Sequence, residues 1–196
     1  MRPLLISAVT CCLILLMGCA TDVQRNKYYN FNITPLSIGI NNTAKLNIKH
    51  IVVHPIQLAT FLDQQGLVIQ IDKHQIYTSK YHRWAQPLQE LLSNKLIQEL
   101  NKQSHADYVF NKKTPLTTTK PSLHLYIDVE QFNSTNHSQI ILSGQFWLSD
   151  ENETLRKNNH FVFKEQLNKD GYQHSVVKLE LTIAKLATKI NALLVE

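Results

Sequence analysis

The chain has 196 residues, with 20 Lys and Arg against 15 Asp and Glu for a formal net charge of +5. Its lysines, among them Lys45, Lys49, Lys73, Lys80, Lys112, Lys113 and Lys164, are scattered; no basic stripe alternates with aromatics, which argues against nucleic acid and leaves a weak attraction to anionic head groups. This length suits one hydrophobic core rather than two domains, and the cysteines (Cys11, Cys12, Cys19) all fall at the N-terminal end, so burial alone must hold the remainder together.

Met1-Arg2-Pro3 precedes an apolar run from Leu4 to Met17, broken only by Ser7, Thr10 and two cysteines. One positive charge ahead of roughly 14 largely apolar residues has the anatomy of a secretory signal and is short for a bilayer span. Leu16-Met17-Gly18-Cys19 then resembles the lipobox of bacterial lipoproteins, with Met17 departing from the small residue usual at its position. The resemblance implies that residues 1–18 are a signal peptide and that Cys19 receives diacylglycerol and, on its new amine, a further chain such as palmitate. Each buried CH₂ contributes about 0.8 kcal/mol, so two or more chains make such an anchor effectively permanent. Residues 19–27 become a lipidated tether. Its roughly eight residues ahead of Tyr28 reach at most about 30 Å, which keeps a single folded domain, 28–196, close to the membrane. Under the general sorting rule an Asp after the cysteine retains a lipoprotein at the inner membrane; Ala20 points instead to the periplasmic face of the outer membrane.

The polar stretch Thr34 to Lys45, with Pro35, Gly39 and Asn41-Asn42, predicts a loop. An Ile- and Val-rich run from Leu46 to Leu58 predicts a strand that closes at His54-Pro55. Leu67 to Ile71 and Gln75 to Thr78 predict a hairpin around Asp72-Lys73-His74. The period then changes: Trp84, Leu88, Leu91, Leu92, Lys95-Leu96 and Leu100 recur at helical spacing, with Pro87 in the first turn, where its missing N–H costs nothing. After a polar break containing Pro115 and Pro121, Leu123, Leu125, Ile127 and Val129 alternate with His124, Tyr126, Asp128 and Glu130, a strand with one wet face. Gln139 to Leu148 and a strand begun by Phe161-Val162-Phe163 complete a meander that ends at Asp170-Gly171. A second helix carries Val176, Leu179, Ile183, Leu186, Ala187, Ile190, Leu193 and Leu194 on one stripe.

Strands, helix, strands, helix predict a two-layer α/β (α+β) sandwich, with a mainly antiparallel sheet covered by two amphipathic helices. If both helices cover one face, Ile141 and Trp147 point to the other, a candidate interface for another protein or a second copy of the chain. A loop folded over them is the alternative.

The octapeptide Tyr81-His82-Arg83-Trp84-Ala85-Gln86-Pro87-Leu88 resembles the H-R-W-A-x-P-L signature of the PqiC-like family, the ABC-type transport auxiliary lipoproteins. The surrounding order is similar too: Tyr28 to Phe31 after the cysteine, Phe61-Leu62-Asp63 ahead of an Ile/Val strand, and a closing Leu/Ala-rich helix. Asp63-Gln64 stands where the family often has Asp-Arg. The resemblance implies a non-enzymatic accessory subunit of an MCE-type intermembrane lipid transport system, supporting membrane integrity, with the tunnel-forming MCE-domain protein as partner. A structural or assembly-factor envelope lipoprotein without a transport partner is the alternative. Within the motif, Trp84 and Leu88 are expected on the helix's buried stripe; Arg83 is expected to stack nearby or to pair with a carboxylate such as Asp63.

Enzyme chemistry finds little purchase. His50 and His54 would share a helix face, but on a strand they stand about 13 Å apart, too far for one metal ion, and the other histidines are scattered singly. There is no G-x-S-x-G elbow and no phosphate loop, and no S-x-x-K is expected to open a helix, so neither a catalytic residue nor a cofactor is implied.

Overall fold

The computed structural model describes residues 24–33, 49–104, 108–113, 123–150 and 155–194. The signal peptide at 1–18, Cys19 and the loop expected at 34–45 lie outside the described residues. In chain order the elements are β1 (Lys27–Tyr29), β2 (Lys49–Val53), β3 (Gln57–Leu58), β4 (Gly66–Asp72), β5 (Gln75–Trp84), α1 (Leu88–Gln103), β6 (Tyr108–Asn111), β7 (Leu123–Thr135), β8 (Gln139–Ser149), β9 (Leu155–Gln166) and α2 (Tyr172–Leu193). Among the described residues no helix is long and apolar enough to cross a membrane.

One strand organises the sheet. The strand marked by the alternation of Leu123 to Val129 continues to Thr135, and along this length β7 pairs antiparallel with β8, which pairs antiparallel with β9. The opposite edge of β7 is shared end to end by β2, β3 and β4, each running parallel to it. Beyond them the sheet forks: β6 extends it from β2, while β5 and then β1 extend it from β4. The long ladders are antiparallel and the parallel pairings short, so the mainly antiparallel two-layer arrangement is the observed one.

Both helices bury their stripes in a single core. Leu88, Leu91, Leu92, Leu96 and Leu100 of α1, and Val176, Leu179, Ile183, Leu186, Ala187 and Ile190 of α2, join Leu125, Ile127, Val129, Ile140, Leu142, Phe146 and Phe161 from the sheet. Lys95 lies inside this interface, almost wholly buried. Its ammonium reaches Glu99 Oε1 at 3.1 Å, Glu180 Oε1 at 2.5 Å and the Asn32 carbonyl at 2.8 Å, tying the segment after β1 to both helices. A buried ammonium is tolerated only when paired in this way. At the β7–β8 ladder a bulge lies between Val129 and Gln131. There a Cβ on Gly144 would come within 2.0 Å of the Asp128 carbonyl oxygen, so the close backbone approach requires glycine.

Three boundaries differ from expectation. β5 runs on past Thr78 to Trp84, β9 begins at Leu155 rather than Phe161, and α1 begins at Leu88 rather than Trp84. Trp84 is therefore a strand residue. The spacing of four to Leu88 looks helical, but Trp84 N–H donates to the Gln65 carbonyl at 2.7 Å and Ala85 N–H to the Tyr29 carbonyl at 2.8 Å, both outside any helix. Pro87 precedes α1 as its cap residue, and its carbonyl accepts from Leu91 N–H at 3.1 Å.

Candidate functional site

The octapeptide turns a strand into a helix. Tyr81 to Trp84 end β5, Ala85-Gln86 bend, Pro87 fixes the entry angle, and Leu88 opens α1. Trp84 is 4% exposed and packs on Phe31 at 5.4 Å and Phe132 at 6.2 Å between ring centroids. Leu88 joins the same core from the helix side, so two motif residues enter it from two elements. Arg83 donates to the side-chain oxygen of Gln65, which takes the place expected for Asp63.

His82 faces the other way, towards solvent. Its imidazole lies between Tyr172, the first residue of α2, at 3.7 Å and Tyr29 of β1 at 5.7 Å. Its Nδ1 is 2.7 Å from the Tyr29 hydroxyl, and the His82 backbone N–H donates to Ser79 Oγ at 3.0 Å. Burial first, and the nearby Lys27 charge second, lower its pKa below the ordinary 6.5. Around it opens a cleft of about 440 Å³, lined by Gln24, Arg25, Lys27, Tyr77, Ser79, Tyr81, His82 and Tyr172. The stack joins residues 29, 82 and 172, so it follows from parallel pairing of β1 with β5 and from the placing of α2, which local periodicity does not report.

The sheet face opposite the helices carries Ile141 and Trp147, both half-buried. Trp147 stacks on Tyr126 of β7 at 5.4 Å, and Tyr126 stacks on His54 at 4.1 Å. His54 Nε2 and His124 Nδ1 are 2.9 Å apart. These two histidines are thus a pair rather than scattered singles: parallel pairing of β2 with β7 sets Val52 beside His124 and brings His54 next to it. Burial, and then His124, lower the His54 pKa below 6.5. Among the described residues no group of three or more His, Cys, Asp or Glu side chains is arranged to hold a metal. Ile141 stands across from Asn133 and Lys164, well along β8 from this aromatic row.

The expectation that no S-x-x-K opens a helix is corrected by Ser175 to Lys178, which has that spacing in the first turns of α2. Ser175 is buried and its hydroxyl donates to the Gly171 carbonyl at 3.3 Å, a hydrogen bond that serves the start of its own helix.

Residues 35–191 match the family model described as ABC-type transport auxiliary lipoprotein component. The chain is 24% identical over 168 residues to the Intermembrane transport lipoprotein PqiC of Escherichia coli (strain K12), covering 86% of each chain. The same figures hold for the PqiC of Shigella flexneri. In fold it resembles the crystal structure of an uncharacterized protein, with a TM-score of 0.74 and 20% identity over 87% of this chain and 99% of that one. It also resembles protein XCC0632 from Xanthomonas campestris, with a TM-score of 0.62 and 12% identity over 74% and 82% of the two chains. The family is one of transport accessory components rather than enzymes, in keeping with a motif spent on packing a strand-to-helix turn. The chain belongs to the ABC-type transport auxiliary lipoprotein family.

Proposed function

We propose that this protein is anchored through acylated Cys19 to the periplasmic face of the outer membrane. There it acts as the accessory subunit of an MCE-type intermembrane lipid transport system and so supports membrane integrity. The observation that carries the reading is the likeness to PqiC along 86% of both chains, which takes in the strand-to-helix turn at Tyr81 to Leu88. An accessory subunit needs an anchor that does not diffuse away, a rigid head and a surface for its partner. One core shared by both helices supplies the rigid head. The helix-free sheet face with Trp147 and Ile141 is the surface to which we assign the MCE-domain protein, since half-buried aromatic side chains are the usual anchors of protein contacts.

Native co-purification tests this. An MCE-domain protein should come down with the full-length lipoprotein, and Trp147→Ser with Ile141→Thr should abolish its recovery while circular dichroism shows the variant still folded. A crosslinked native preparation with no MCE-domain protein, from cells whose lipid transport survives loss of this chain, would move the assignment to a structural envelope lipoprotein. Intact-mass measurement tests the anchor separately, because an unmodified Cys19 would remove it.

A further inference from the structure

The cleft around His82 has a lining that the surface assigned to partner docking does not share. Two cations, Arg25 and Lys27, stand at its mouth; Tyr77, Tyr81, Ser79 and His82 line it; and none of its lining residues is acidic. Arg25 and Lys27 are exposed and make no ion pair with a carboxylate among the described residues. A concave site with two cations, tyrosine hydroxyls and an imidazole matches a monoanionic phosphodiester, since guanidinium and ammonium donate charge-assisted hydrogen bonds to its oxygens.

The position of the cleft says which phosphodiester. Four residues separate Cys19 from Gln24, five steps along the chain with a reach of at most about 18 Å, so an anchor at Cys19 holds the cleft beside the bilayer. The lining also carries aromatic surface: Tyr77, 45% exposed, with Tyr81 and Tyr172, presents phenol rings beside Arg25 and Lys27. Exposed tyrosine rings beside basic residues suit the boundary between head groups and acyl chains. We propose that this cleft binds the phosphodiester of an anionic phospholipid head group, with Arg25 and Lys27 as its charge partners and the Tyr77 and Tyr81 hydroxyls orienting it. The choice of a lipid over a free anion rests on the Cys19 anchor assigned above. Such binding would turn the head to a fixed attitude on the membrane, with β5 and the start of α2 towards the lipid, something a flexible tether cannot do.

The test uses the full-length protein in neutral detergent, titrated with dihexanoyl phosphatidylglycerol, dihexanoyl phosphatidylcholine or inorganic phosphate, and follows amide exchange across residues 77–82. Phosphatidylglycerol should slow exchange there, and phosphatidylcholine and phosphate should not at the same concentration. Arg25→Gln with Lys27→Gln should weaken the phosphatidylglycerol effect about thirty-fold, with melting unchanged because both side chains are exposed. Tyr81→Phe, which keeps the ring and loses the hydroxyl, should weaken it by less. Equal protection by phosphatidylcholine, or by inorganic phosphate alone, would overturn the assignment, as would full protection in the double variant. The titration does not require Cys19 to be acylated, so its failure and a failure of the anchor are separate results.

Discussion

Replacing Trp84 with alanine removes the largest side chain at the point where β5 gives way to α1. The indole is 4% exposed and lies against Phe31 and Phe132, so its loss leaves a cavity bounded by two rigid rings. Buried Trp→Ala changes cost about 3–5 kcal/mol, and two aromatic neighbours that cannot collapse into the space favour the middle of that range, about 4 kcal/mol. Against a typical total of about 5–15 kcal/mol the variant still folds, but marginally. For a domain of this size each kcal/mol corresponds to about 2–4 °C, so the melting temperature should fall by about 10–15 °C. Circular dichroism melts and urea titrations of the full-length protein measure this; the urea midpoint should drop while the slope stays constant. A melting temperature within about 2 °C of the parent, with transport lost, would refute the reasoning and make Trp84 a contact residue.

Lys95→Met keeps most of the side-chain volume but leaves Glu99 and Glu180 without their shared cation, at a cost of about 3 kcal/mol; chemical denaturation should show it, and adding Glu180→Gln should recover part of the loss. Gly144→Ala drives a Cβ into the Asp128 carbonyl and should destabilise by at least about 1–3 kcal/mol, visible as a lower melting temperature and faster amide exchange along β7 and β8. His54 and His82 both hold pKa values below 6.5 in the folded state, so as pH falls below 6.5 the unfolded chain takes up protons first and stability declines. Thermal melts between pH 8 and 5 should therefore show stability full at the alkaline end and lost towards the acid end. His54→Gln and His82→Gln should each flatten that slope, and an unchanged slope in both variants would discount these two groups.

The turn at Tyr81 to Leu88 shows how far local pattern carries and where it stops. Trp84 and Leu88 are four apart, a spacing shared by one helical face and by two core residues on either side of a sharp bend. The hydrogen bonds from Trp84 and Ala85 to Gln65 and Tyr29 decide for the bend, and those acceptors are distant in the chain. His54 and His124 present the same difficulty. His124 sits on the wet side of β7, which alternation reports, and His54 follows the end of β2; their contact across 70 residues depends on β2 lying parallel to β7 in one register.

What the sequence by itself determined is what repeats locally. The alternation of Leu123 to Val129 and the stripes of the two helices each specify an element and its buried side, because one face must leave water whatever its neighbours are. The order of those elements then implies a sheet covered on one side by two helices. Tertiary structure alone decided which strands share the edge of β7, that Trp84 enters the core from a strand, and that β1, β5 and α2 meet to enclose the cleft around His82. Pairing between remote segments is settled by which register buries the most apolar surface in the whole domain, and no short window of residues contains that comparison.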